Sequence, residues 1–160
     1  GAAFSTHRMV REYAERAYVP AHRAGILLGA DHCRGAAELA AWRSRISAAW
    51  PEVAIRTGPA PESAQVGGRI PIVVEATLGD VAPHEVRVEV VVGTTDRDGG
   101  IVPDRVVTAE RAADGPGGAS RYRAEVVAEA SGALALAARI VPEPPPGLGP
   151  IRPFLVTWER

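Results

Sequence analysis

The chain has 160 residues, 46% hydrophobic and 23% charged, with a formal net charge of −1 and a pI near 6.5. That length suits one large domain, or one domain with an appendage, and is enough to bury a real core. The balanced charge leaves no electrostatic footprint for nucleic acid or for an anionic membrane surface. Its 18 basic residues are all arginine, with no lysine anywhere. A single cysteine, Cys33, excludes an internal disulfide framework and fits a reducing, cytoplasmic compartment. No apolar run approaches the roughly 20 residues that span a bilayer, and no charged stretch followed by an apolar one marks a signal peptide. The opening Gly-Ala-Ala, in place of Met, suggests a piece cut from a longer chain or, equally, a processed or tagged one.

Phe4 to Pro20 reads as one amphipathic helix. Ser5 or Thr6 supplies an N-cap, and Pro20 is expected to end it, having no N–H and disfavouring helical dihedrals at Val19. Met9, Val10, Tyr13, Ala14, Ala17 and Tyr18 form an apolar stripe, with Arg8, Arg11, Glu12, Glu15 and Arg16 around the rest. A helix this short is marginal alone in water, so the stripe must dock. Ala21 to Gly35 carries three glycines and no sustained period, and reads as a connection with a turn of helix around Ile26 to Leu28. From Ala36 to Trp50 a helical period returns through Leu39, Trp42, Ile46 and Ala49 or Trp50, and Pro51 closes it. Trp42 and Trp50 are the expected anchors of these helices.

From Glu52 the period changes from 3.6 to 2. Val53 and Ile55 alternate with Ala54 and Arg56. After a loop from Pro59 to Gly68, Ile70, Ile72, Val74, Ala76 and Leu78 share one face of a strand, with Pro71 near its start or on an edge. Val86, Val88, Val90 and Val92 make the cleanest strand, and Asp96-Arg-Asp-Gly-Gly100 a hairpin connection. Further strands are expected at Val106–Glu110, Arg121–Val127, Ala133–Val141 and Leu155–Trp158. Seven short strands with turns every eight to twelve residues predict an α+β chain: an N-terminal α-helical segment (residues 1–50) followed by an antiparallel immunoglobulin-like β-sandwich (residues 51–160).

The run Phe4 to Pro20, with Arg8-Met-Val-Arg-Glu-Tyr13 at its centre, resembles the closing helix of the bacterial α-glucan (glycogen/maltodextrin-type) phosphorylases. The likeness continues through Leu39-Ala-Ala-Trp-Arg43 and Ala49-Trp-Pro51 into a β-rich tail ending Leu155-Val-Thr-Trp158. It covers nearly the whole chain and is specific mainly in the first helix and the order of segments. The family pattern departs at Ala17, where a second aromatic is expected, and between Gly25 and Gly35. The resemblance implies the C-terminal portion of a cytoplasmic α-1,4-glucan phosphorylase, a parent that uses pyridoxal phosphate and phosphate to release glucose 1-phosphate. Residues 1–50 would close the catalytic body. The partners implied are the upstream catalytic domain and, through it, the α-glucan. The docking face would be Met9, Val10, Tyr13 and Tyr18, with Trp42 and Trp50.

The family's cofactor is held as a Schiff base on a lysine amine, which this chain lacks. No residue matches the family's catalytic or phosphate-binding motifs, so no catalytic, cofactor or metal residue is assigned, and the piece alone is expected to be inactive. The missing lysine also rules out a Walker-type loop, and no Gly-x-Gly-x-x-Gly follows a strand. His22, Asp31, His32 and Cys33 have no zinc-site spacing and read as loop residues. His7 and His84 are lone histidines with solvated or capping roles. Asp96 and Asp98 before Gly99 lack the closing Glu of a calcium loop and read as a turn. None of Ser5, Ser44, Ser47, Ser63, Ser120 and Ser131 lies in a Gly-x-Ser-x-Gly elbow.

Three roles remain for such a piece. The favoured one is a domain that packs on and stabilises the catalytic body. A carbohydrate-binding module would present aromatic faces to sugar rings, but the β region offers only Tyr122, Phe154 and Trp158, and Tyr122 and Trp158 are expected to fill the core. An assembly role, as a homo-oligomer interface or edge strand, draws on the Val86–Val92 run, where Val91 breaks the polar face. A plain immunoglobulin-like domain with a helical lead stands against all three.

Overall fold

A computed structural model of the chain describes residues 19–59, 61, 63–146 and 154–159. The amphipathic segment carrying Met9, Val10, Tyr13 and Tyr18 lies outside them. Of the described residues, 19–45 and 144–146 belong to one compact unit, and 46–143 with 154–159 to a second.

Helix α1 runs over Val19–Ala49. It corrects two expectations. Val19 and Pro20 are helical: Pro20 is the second residue of this helix, near a start where a missing amide N–H costs little, and the helix expected before it lies outside the described residues. The stretch 21–35 is not a connection but helix. Gly25 and Gly29 each cost only about 1 kcal/mol against alanine, and the Ala, Leu and Arg residues around them are strong helix formers. One irregularity survives where the glycines suggested a break: Cys33 takes φ 65°, in the left-handed region. Arg34 and Glu38 then form an exposed i,i+4 pair at 3.7 Å. The second half follows the expected period, with Trp42 and Ile46 buried and Leu39 and Ala49 half-buried. The α-helix ends at Ala49, and a 3₁₀ turn over Trp50–Glu52 carries Pro51 before the chain extends.

The second unit contains seven strands: β1 (Ala54–Thr57), β2 (Arg69–Thr77), β3 (Val86–Thr95), β4 (Ile101–Asp114), β5 (Ser120–Val127), β6 (Ala135–Pro142) and β7 (Thr157–Trp158). All pair antiparallel, in the order β1-β2-β5-β4-β3-β6-β7. Strand β4 joins the two halves. Its first part pairs with β3 up to Ala109, opposite Val88, and from Glu110 it pairs with β5. Strand β1 also lies beside β6 and β7, so the sheet curls nearly into a barrel.

Its interior is the set that alternation predicts: Ile70, Ile72, Val74 and Ala76 from β2, and Val86, Val88, Val90 and Val92 from β3. Tyr122, Ala124 and Val126 from β5 and Ala138 and Ile140 from β6 complete it, all buried. Fully burying each aliphatic side chain is worth roughly 1.5–3 kcal/mol. Pro71 stands where β2 has β5 beside it but has passed the last β1 pair, Thr57 with Val74, as a proline within a sheet requires.

Two strand expectations are corrected. Strand β4 is longer than Val106–Glu110, and its residues are mostly exposed; with little burial it shows little alternation. Strand β3 is no edge, since β4 and β6 flank it, and Val91 is buried at 4% exposure. An assembly role drawn from Val91 therefore loses its motive. Among the described residues, no helix is long and apolar enough to cross a membrane.

Candidate functional site

Because side chains alternate along a strand, Arg87 and Glu89 point away from the valine core that Val86, Val88 and Val90 enter. Register sets Glu89 beside Arg139 of β6, and Arg139 beside Trp158 of β7. The carboxylate of Glu89 accepts from Arg87 Nε at 2.8 Å and from Arg139 Nε at 2.7 Å. Arg87 Nη1 also donates to Glu143 at 2.5 Å, and the Arg139 guanidinium lies 5.4 Å from the Trp158 ring centroid. A continuous ladder, Glu143–Arg87–Glu89–Arg139–Trp158, thus crosses the outer face of β3, β6 and β7.

The ladder's electrostatics centre on Glu89, whose side chain is only 8% exposed. Burial pushes its pKa up, but hydrogen bonds from Arg87 and Arg139, joined by their charges, outweigh that and hold it below the usual 4.5. The carboxylate is therefore a fixed anion that orients two guanidinium planes. Trp158 corrects an expectation: it does not fill the core but stands 43% exposed at the end of the ladder. Tyr122 is in the core, and burial raises its phenol pKa against the pull of Arg111. Phe154 is half-buried.

Two further polar features lie elsewhere on the sheet. Glu159 clasps the curled sheet: its carboxylate accepts the Thr57 hydroxyl from β1 and the Ala138 amide at 2.8 Å from β6. Where β4 departs from β5, an open cleft of about 540 Å³ is lined by Pro71, Val73, Thr108, Glu110, Arg123 and Glu125, among others. Its charges are mixed.

The profile of the family described as "Glycogen phosphorylase C-terminal domain" matches residues 50–160. The chain belongs to that family. Among its relatives, a maltodextrin phosphorylase of Thermococcus litoralis is 33% identical over 90 residues, 56% of this chain and 10% of that protein. Glycogen phosphorylases of Mycobacterium tuberculosis and Mycobacterium bovis are each 27% identical over 142 residues, 86% of this chain and 16% of theirs. The chain thus spans between a tenth and a sixth of the length of these relatives. No solved structure matches it.

Pyridoxal phosphate, which the resemblance implies for a parent enzyme, does not fit this phosphorylase C-terminal domain: no lysine amine exists to carry it. Of the residues expected to dock, Trp42 and Trp50 are buried at 6% and 7% exposure. His22 and Cys33 are exposed on α1. Among the described residues, no group of three His, Cys, Asp or Glu side chains is placed to hold a metal.

Sequence reasoning missed the ladder. The pair Arg87-x-Glu89 was visible as two charges on one strand face, a signal that could have been followed. Arg139, 50 residues away, joins them only through the β3–β6 register.

Proposed function

We propose that this chain is the C-terminal portion of a cytoplasmic, pyridoxal-phosphate-dependent α-1,4-glucan phosphorylase, and that it packs on and stabilises the catalytic body. The observation that carries the proposal is the family match over residues 50–160, joined to relatives whose names are glycogen phosphorylase and maltodextrin phosphorylase. The chemistry would lie upstream, since this piece has no lysine for the cofactor. Residues 1–50 close the catalytic body and 51–160 form an appended immunoglobulin-like sandwich. The strand order supports that architecture: with the strands lettered A to G along the chain it reads A-B-E-D-C-F-G, a constant-type ABED sheet followed by CFG. The docking face comprises Met9, Val10, Tyr13 and Tyr18; Trp42 and Trp50, expected with them, are already buried within this chain.

The test is to express the complete polypeptide that ends in this sequence and assay release of glucose 1-phosphate from maltoheptaose and phosphate. Phosphorolysis by that polypeptide, with none by residues 1–160 alone, is expected. Turnover by the 160 residues unaided, or none by the complete polypeptide, overturns it. Tyr13→Asp would bury an unpaired charge at the docking face and is expected to lower the melting temperature of the complete enzyme. Unchanged melting would remove Tyr13 from that face.

A further inference from the structure

We propose that the outer face of β3, β6 and β7 is an α-glucan contact site in which Trp158 is the stacking platform and Arg139, Arg87 and Glu143 form the hydrogen-bonding rim. The proposal rests on the phosphorylase reading above, which supplies the class of polymer. The geometry supplies the rest. An indole left 43% exposed on a strand offers the apolar face against which a sugar ring packs, while its edge stays polar. Arg139 already lies against that ring, so cation and indole form one rigid surface.

The rim is accessible: the side chains of Arg139, Arg87 and Glu143 are 29%, 38% and 39% exposed. It carries both donors and an acceptor, as a pair of neighbouring sugar hydroxyls requires. It is also fixed in advance. Glu89, buried beneath it, holds both guanidinium groups by their Nε atoms, and Arg87 Nη1 is held in turn by Glu143. A rim ordered before binding avoids the entropy of ordering flexible arginines on contact. Glu89 is a positioning residue; at 8% side-chain exposure it is too covered to touch the sugar.

The three tryptophans make the site testable without a variant. Trp42 and Trp50 are buried, and Trp158 is exposed, so acrylamide quenches chiefly Trp158 in the intact 160-residue chain. Maltoheptaose at about 1–10 mM, the weak range set by a few stacked rings and hydrogen bonds, should lower the quenching constant at least about twofold, saturably. Cellopentaose should not. Trp158→Ala should abolish maltoheptaose binding in titration calorimetry, and Glu89→Gln should weaken it several-fold. Undiminished quenching up to about 50 mM maltoheptaose, a concentration well above that range, or equal protection by cellopentaose overturns the proposal. So does protection of Trp158 in the complete enzyme without sugar, which would give this face to the catalytic body. No protection of Trp158, with phosphorolysis by the complete polypeptide intact, removes the site alone. Protection without phosphorolysis removes the phosphorylase reading instead.

Discussion

Two glycines of the helix have slack around them, and one glycine of the sheet has none. In α1, a Cβ added at Gly25 or Gly29 would meet nothing within 4 Å. In the sheet, a Cβ added at Gly93 would land on the Val102 carbonyl oxygen and come within 2.8 Å of its carbon. That position is also where β3 and β4 shift register. The helix tolerates glycine; the sheet requires it. The difference shows where stability is set: by close backbone approach and interlocked core in the strands, by propensity along the first half of the helix, where His22, Gly25, Ile26, Gly29, Cys33 and Arg34 are exposed. The largest expected break of this contrast is Gly93→Ala. Its methyl must displace backbone, not a flexible side chain, at a cost of about 3 kcal/mol or more. Chemical denaturation should show a large drop in midpoint or no folded protein. Wild-type stability would mean that the β3–β4 approach is looser than described.

The core of the same unit gives the next effect. Ile140 is fully buried opposite Val88, and Ile140→Ala should cost about 2–5 kcal/mol by lost transfer energy and residual cavity. A urea titration measures it, and a loss under 1 kcal/mol, far below that range, would contradict the packing.

A smaller effect separates the sheet's two faces by pH. The pKa of Glu89 is lowered in the folded chain, so its contribution is present above the ordinary 4.5 and is lost as pH falls through the folded value. Tyr122 is raised above 10.0, so its contribution is present below 10.0 and is lost as pH rises through the folded value. Glu89→Gln should flatten the acid limb of the stability profile while costing about 1–3 kcal/mol near neutrality. Tyr122→Phe should flatten only the alkaline limb. Denaturation midpoints measured across pH for both variants decide this; an acid limb identical in Glu89→Gln and wild type would remove the ladder as its source.

How much of this was legible beforehand follows from the same physics. Strands β2 and β3 could be read because each buries one face completely, and burial writes period two into Ile70–Leu78 and Val86–Val92. Strand β4 buries little, so its first five residues left no pattern. Residues 21–35 read as a connection because glycine signals a break wherever it falls, while its cost of about 1 kcal/mol in a helix is offset by neighbours that favour helix. Trp158 reads as core because large aromatics usually fill cores. A two-residue strand at the end of the sheet, beside Arg139, leaves the indole half outside. The Glu89 ladder was half legible: Arg87 and Glu89 were in view, but register, not composition, brings Arg139 to them.

The helix provides the smallest effects, and they run in the opposite direction. Gly25→Ala and Gly29→Ala meet no steric resistance and remove backbone freedom from the unfolded chain, so each should stabilise α1 by about 0.5–1 kcal/mol. Cys33 is the exception within the helix. Its φ of 65° costs an L-residue about 1–2 kcal/mol, which glycine would not incur. Glycine's greater freedom when unfolded returns about 0.5–1 kcal/mol of that gain. Cys33→Gly should therefore stabilise by a fraction of a kcal/mol, whereas Cys33→Ala should change little, because it keeps the Cβ that makes the conformation costly. Amide exchange across residues 30–38 reads the difference directly: slower exchange in Cys33→Gly than in Cys33→Ala is expected. The reverse order would mean that residue 33 is an ordinary helical position, where glycine is the worse choice by about 1 kcal/mol.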